Sequence, residues 1–163
     1  MIKFQAYSGI YSMEVRQLMN IPMAAAWEFF SSPENLAKIT PKHMGFQITS
    51  GTPAKMYTGQ IISYKVSPFP GFKTSWVTEI THVSEGKFFV DEQRFGPYQM
   101  WHHEHHFNAV GNGVMMIDRV SYKLPFGFLG RIAHALFVRK QLKQIFEYRE
   151  LFLTNLFGKG EIS

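Results

Sequence analysis

The hydrophobic pattern of this chain changes period twice, and that constrains the fold more than any motif does. Between residues 44 and 123 apolar and polar side chains alternate through GFQITS, GQIISYKVS, KTSWVTEITHVS, GKFFVDEQRF, YQMWHHEHHFNAV and GVMMIDRVSYKL. A period of two is the signature of a strand with one buried face. The breaks between these runs fall at Pro68-Phe69-Pro70-Gly71, Ser84-Glu85-Gly86, Gly96-Pro97 and Gly111-Asn112. Turns this short permit only antiparallel neighbours, because a parallel pair needs a long crossover. Ahead of this block, IYSMEVRQLMN at 10–20 predicts a further strand. Two short helices follow over 22–39, the first opened by Pro22 and the second capped by Ser32 ahead of Pro33.

After Leu124-Pro125-Phe126-Gly127 the period becomes 3.6. Residues 128–157 predict one amphipathic helix of about 28 residues, roughly 40 Å long. Ile132, Leu136, Leu142, Ile145, Phe146, Phe152, Leu153 and Leu156 fall broadly on one face, and Gly158 stands where a left-handed cap belongs. The expectation is one α+β domain over 1–163. A curved antiparallel sheet of about seven strands carries two short helices after its first strand and one long C-terminal helix laid across it.

Composition removes several function classes. The chain has no cysteine, which excludes disulfides, thiol catalysis and cysteine-ligated metals. The formal charge of +5 is spread from Lys3 to Lys159, so no nucleic-acid partner is expected. No apolar run reaches the ~18 residues of a membrane span, so stable membrane insertion is not expected. The N-terminal residues resemble no signal peptide, which makes a cytoplasmic protein the expectation. No GxGxxG, P-loop, GxSxG or HExxH pattern occurs. The 16 Phe, 7 Tyr and 3 Trp instead point to an aromatic-lined interior.

The chain resembles the helix-grip fold of the START-like, or SRPBCC, superfamily over nearly its whole length. Local patterns similar to a small bacterial group carry the likeness: FFSSPENLAKITP, GQIISYKV, FVDEQRFGPYQMWHHEHHF and MIDRVSYKLPFG. The resemblance implies a cavity between the long helix and the sheet, open at one end. The superfamily includes lipid carriers, pigment and hormone binders, polyketide aromatase/cyclases and interaction domains, and fold does not choose among them.

The only aspartates, Asp91 and Asp118, both fall inside strand patterns where Asp is disfavoured. Alternation over 101–107 places Trp101, His103, His105 and Phe107 on one face, taken as concave, and His102, Glu104 and His106 on the other. A two-residue turn at Gly111-Asn112 puts His105 opposite Asp118, His103 opposite Val120, Phe107 opposite Met116 and Trp101 opposite Tyr122. A three-residue loop at Gly96 puts Asp91 opposite His103, and a two-residue loop puts Val90 there; the first gives Asp91 a partner.

Three readings of this strip remain open: a self-satisfied polar network, anchors for a ligand's oxygen atoms, or acid–base catalysis by His105, Asp118 and His103. The candidate ligand-binding residues are Trp101, His103, His105, Phe107, Asp118, Tyr122, Asp91 and Gln93, with Phe126 and Phe128 as a gate before the long helix. The Pro68–Phe72 hairpin is a second candidate rim. His103, His105 and Asp118 have the donor types of a metal site, but no metal and no cofactor is expected. His43, His82 and His134 read as surface or helix-packing groups. The leading functional expectation is binding of a mostly apolar small molecule, lipid-like or aromatic. The alternatives are a cyclase/dehydratase-type enzyme using a His–Asp pair and a non-catalytic module with a filled core.

Overall fold

The computed structural model describes residues 2–51, 55–69 and 72–160. Its strands are β1 (Ile2–Tyr7), β2 (Ile10–Met19), β3 (Gln47–Ile48), β4 (Gln60–Phe69), β5 (Phe72–Ser84), β6 (Phe88–Phe95), β7 (Met100–Val110) and β8 (Gly113–Lys123). All pairings are antiparallel, in the order β1-β2-β8-β7-β6-β5-β4-β3. Helices α1 (Met23–Phe30) and α2 (Pro33–Lys38) follow β2. The chain ends with α3 (Gly127–Ala133), a π-helical turn over His134–Val138, and α4 (Arg139–Phe157). This is the α+β helix-grip architecture.

One strand is additional to those read from the sequence. Ile2–Tyr7 folds back on β2 through a turn at Ser8 and Gly9, both with positive φ. As an edge strand it is mostly exposed, and its alternation is short: Ile2 and Phe4 pack against the core while Lys3, Gln5, Ala6 and Tyr7 are exposed. GFQITS shrinks to the two residues of β3. Pro70 and Gly71 of the expected β4–β5 hairpin lie outside the described residues.

The long C-terminal helix is interrupted where a strict 3.6 period runs unbroken. Gly130, His134, Val138 and Leu142 are buried at spacings of four, and Phe146, Arg149 and Leu153 continue at the ordinary spacing. The π-helical turn explains the first stretch, since wider turns move the buried face forward along the sequence. As a correction to the expected apolar face, Ile132, Leu136 and Leu156 are exposed. Leu142, Phe146 and Leu153 do face the core. Pro125–Gly130 also needs a close approach: a Cβ at Gly130 would collide with the Pro125 carbonyl oxygen.

Two apolar clusters hold the layers together. Ala26, Phe30 and Ile39 from the short helices meet Phe89, Phe107 and Met116 of the sheet, with Leu153 of α4. Further along the sheet, Val138, Leu142 and Phe146 pack on Met13, Val120 and Tyr122. Among the described residues no helix is long and apolar enough to cross a membrane.

Candidate functional site

Between the helices and the concave sheet face lies a cavity of about 500 Å³. Its walls are mainly apolar, with Ile62, Val66, Trp76, Ile80, Leu142 and Phe146 among them. The β4–β5 end is tied to α4 by the Gln141 side-chain amide, which donates to the Pro68 carbonyl. Phe126 and Leu129 line the cavity and are 81% and 66% exposed, so they form a rim.

The register that the Gly111-Asn112 turn dictates is the observed one. His105 lies opposite Asp118, His103 opposite Val120, Phe107 opposite Met116 and Trp101 opposite Tyr122. On the other side Asp91 lies opposite His103. Two aspartates and two histidines from three neighbouring strands therefore converge on one face. His103 Nε2 stands 3.0 Å from Asp118 Oδ1, and His105 Nε2 stands 2.9 Å from Asp91 Oδ2. Those two contacts run diagonally between the strands, and the directly opposed pairs close a ring. His103 Nδ1 is 3.5 Å from Asp91 Oδ2, and His105 Nδ1 is 2.9 Å from Asp118 Oδ1 but out of line for a hydrogen bond.

Burial alone would keep these groups neutral, and the ring reverses that for some members. Burial pushes Asp118 up, yet the His103 and His105 contacts and the Arg149 charge together hold it far below the ordinary carboxylate range. Asp91 is lowered in the same way, with burial opposed by the His103 charge and the His105 hydrogen bond. His103 is lowered by burial and by its neighbour His105, which outweigh the two carboxylates. His105 is raised, because its contacts to Asp118 and Asp91 outweigh burial. Of the two imidazoles, His105 is therefore the one whose charged form the carboxylates favour.

Arg149 completes the charge balance, and the sequence reading omitted it. It is 94% buried by the 6% exposure of the whole residue, and its Nη1 lies 3.6 Å from Asp118 Oδ1. The guanidinium sits 4.7 Å from the Phe146 ring centroid. A signal was present, since Leu142, Phe146, Arg149 and Leu153 share one helical stripe and an arginine in such a stripe requires a buried partner. Arg149 Nε and Nη1, and Trp76 Nε1, have no hydrogen-bond partner among the described residues. Both side chains line the cavity.

The candidate residues divide. Asp91, Trp101, His103, His105 and Phe126 line the cavity. Asp118 is not part of the cavity wall but touches His103, His105 and Arg149, which are. Phe107 packs 5.4 Å from Phe30 and 5.8 Å from Trp27 in the core. Tyr122 is fully buried, and its hydroxyl meets His134 Nε2 at 2.8 Å. His134 in turn stacks on Tyr11 at 3.5 Å, so it is a helix-packing group. Gln93 clasps Tyr98, donating to its carbonyl at 2.7 Å and accepting from its N–H at 3.2 Å, which shapes the β6–β7 loop. Phe128 is exposed beneath the Arg131 guanidinium and lies away from the cavity wall. His43 and His82 are exposed. His102, Glu104 and His106 form a partly exposed paired strip on the outer face: His106 Nε2 meets Glu104 at 2.7 Å and His102 Nδ1 meets Glu92 at 2.8 Å.

Comparison with known proteins agrees on the fold. Protein Ms6760 from Mycobacterium smegmatis superposes with a TM-score of 0.66 at 14% identity, covering 96% of this chain and 98% of that one. Ginseng major latex-like protein 151 from Panax ginseng gives 0.66 at 12% identity, with coverages of 92% and 99%. Ara h 8.0201 gives 0.59 at 13% identity, with coverages of 90% and 99%. The last two are Bet v 1-like members of the SRPBCC superfamily. The chain shares their helix-grip fold. No protein-family profile and no curated protein sequence matches it.

Proposed function

We propose that this protein binds a mostly apolar small molecule, lipid-like or aromatic, whose single polar end meets Arg149, His103 and His105. The observation that carries this reading is the cavity of about 500 Å³, mainly apolar along its walls, into which the buried cluster of Asp91, His103, His105 and Arg149 opens. That volume lies within the range of small-molecule sites, which combine apolar walls with a few fixed polar groups. The buried donors of Arg149 and Trp76 add a chemical requirement. An unpaired buried donor costs about 1–3 kcal/mol, and a ligand carbonyl, hydroxyl or carboxylate oxygen would remove that cost. Such a volume also favours a binding role over an interaction module with a filled core.

Trp76 and Trp101 line the cavity, so tryptophan fluorescence reports its occupation. Titration with long-chain fatty acids and with polycyclic aromatic hydroxy acids, followed by native mass spectrometry, should give one ligand per chain. Ala133→Trp, at the cavity wall, should abolish the complex with little change in melting temperature. Ligand binding that survives this block would place the ligand elsewhere and defeat the proposal.

A further inference from the structure

We infer that Asp91, His103 and His105 form a divalent-metal site at the polar end of the cavity, with Asp118 as its supporting carboxylate. The inference rests on which nitrogen of each ring faces where. His103 turns Nδ1 toward Asp91 Oδ2 at 3.5 Å, and His105 turns Nε2 toward the same oxygen at 2.9 Å. All three donor atoms lie within 4.8 Å of one another. Metal–nitrogen bonds of about 2.0–2.1 Å place adjacent ligand atoms roughly 2.9–3.4 Å apart, for octahedral through tetrahedral angles. The spacing from Asp91 to both rings already falls close to that interval, so only small side-chain shifts would be needed to centre an ion.

The far nitrogens supply the second argument. Asp118 Oδ1 lies 3.0 Å from His103 Nε2 and 2.9 Å from His105 Nδ1. Metal-binding imidazoles characteristically present their other ring nitrogen to a carboxylate, which fixes the ring and strengthens it as a ligand. Here Asp118 meets the His103 ring through a hydrogen bond and approaches the far nitrogen of His105 out of line, so a small ring rotation would let one buried carboxylate support both. Two histidines and one carboxylate leave further coordination positions free, and all three residues line the cavity. A bound molecule could therefore complete the sphere.

Charge limits what that molecule is. A divalent ion takes the place of the hydrogen-bonding proton between His105 and Asp91. Two carboxylates against the ion and Arg149 then leave one positive charge at a buried site. An anionic oxygen donor compensates it, so the class of co-ligand is a carboxylate, enolate or phenolate with an apolar body. The cation is of the zinc, cobalt or ferrous type, given a mixed nitrogen and oxygen donor set.

The inference is separable from the ligand reading, because apolar-ligand binding is measured in the presence of a chelator. The probe is Co2+ alone, titrated into chelator-stripped protein and followed by its visible absorption. The outer pair His102 and His106 is a competing adventitious site, so His102→Ala/His106→Ala serves as the reference protein. Expected is one equivalent per chain in that reference. Asp91→Asn should weaken it at least 100-fold, and Asp118→Asn about 10- to 100-fold, the usual effect of losing a supporting partner. Crystals grown with Co2+ give a reading that needs no variant to fold: anomalous scattering should peak between Asp91, His103 and His105. Loss of all binding in the reference protein, or anomalous density at His102 and His106 alone, would overturn the inference. Undiminished binding in a folded Asp91→Asn variant would do the same.

Discussion

Asp118→Asn is the most informative single change, because one carboxylate faces three buried groups. The side chain is 5% exposed and has His103, His105 and Arg149 at 3.0, 2.9 and 3.6 Å. Asparagine keeps the shape and removes the charge. Arg149 then remains buried with no carboxylate within 4 Å among the described residues. Uncompensating one member of a buried ion pair costs about 3–5 kcal/mol. Domains of this size hold only about 5–15 kcal/mol in total. With roughly 2–4 °C lost per kcal/mol at this chain length, melting should fall by about 6–20 °C. Guanidinium and thermal unfolding at neutral pH, in chelator, measure it.

The double variant Asp118→Asn/Arg149→Met supplies the control. Removing both charges should cost clearly less than the sum of the single changes, which isolates their coupling. The pH dependence has a fixed sign as well. Asp118 is held below its unfolded value, so its contribution is complete above the ordinary carboxylate range, about pH 4, and fades as pH falls below it. The gap between wild type and Asp118→Asn should narrow only in acid. A loss under about 1 kcal/mol at neutral pH, with additive double-variant energies, would refute the idea that this charge organises the ring.

Other expectations follow from single contacts. Leu153 is fully buried in the cluster beneath the short helices, so Leu153→Ala should cost about 2–5 kcal/mol in denaturant unfolding. Gly130→Ala drives a Cβ against the Pro125 carbonyl; about 1–3 kcal/mol of stability should be lost. His134 is lowered by burial first and by Arg139 second. The unfolded chain therefore takes up a proton first, and stability should decline as pH falls through about 6.5, the ordinary imidazole value. In thermal melts between pH 8 and pH 5, His134→Gln should flatten that part of the profile.

The fold is legible in the sequence because its main signals are local. Alternation in β4–β8 and the Gly111-Asn112 turn fix both the strands and the register that pairs His105 with Asp118. A one-residue slip would move every apolar side chain to the wrong face, so the pattern admits one answer. β1 escaped because its alternation is short, with only Ile2 and Phe4 turned to the core before the exposed Ala6 and Tyr7. Phe107, Tyr122 and Gln93 show the limit for the site: sharing a face of the sheet does not decide which side chains meet a cavity and which meet a helix.

What the sequence determined by itself is the strip of His103, His105 and Asp118 on one face, since strand pairing is a short-range consequence of turns and period; Asp91 was left between two registers, and the structure sets it opposite His103. What only the tertiary structure decided is how that strip is used. The π-helical turn sets the rotation of α4, and that rotation brings Arg149 from 31 positions away to Asp118. Packing of α1, α2 and α4 over the concave face leaves a cavity enclosed between them and the sheet. Those outcomes depend on how whole layers fit, a non-local balance of volume and charge that no window of residues records.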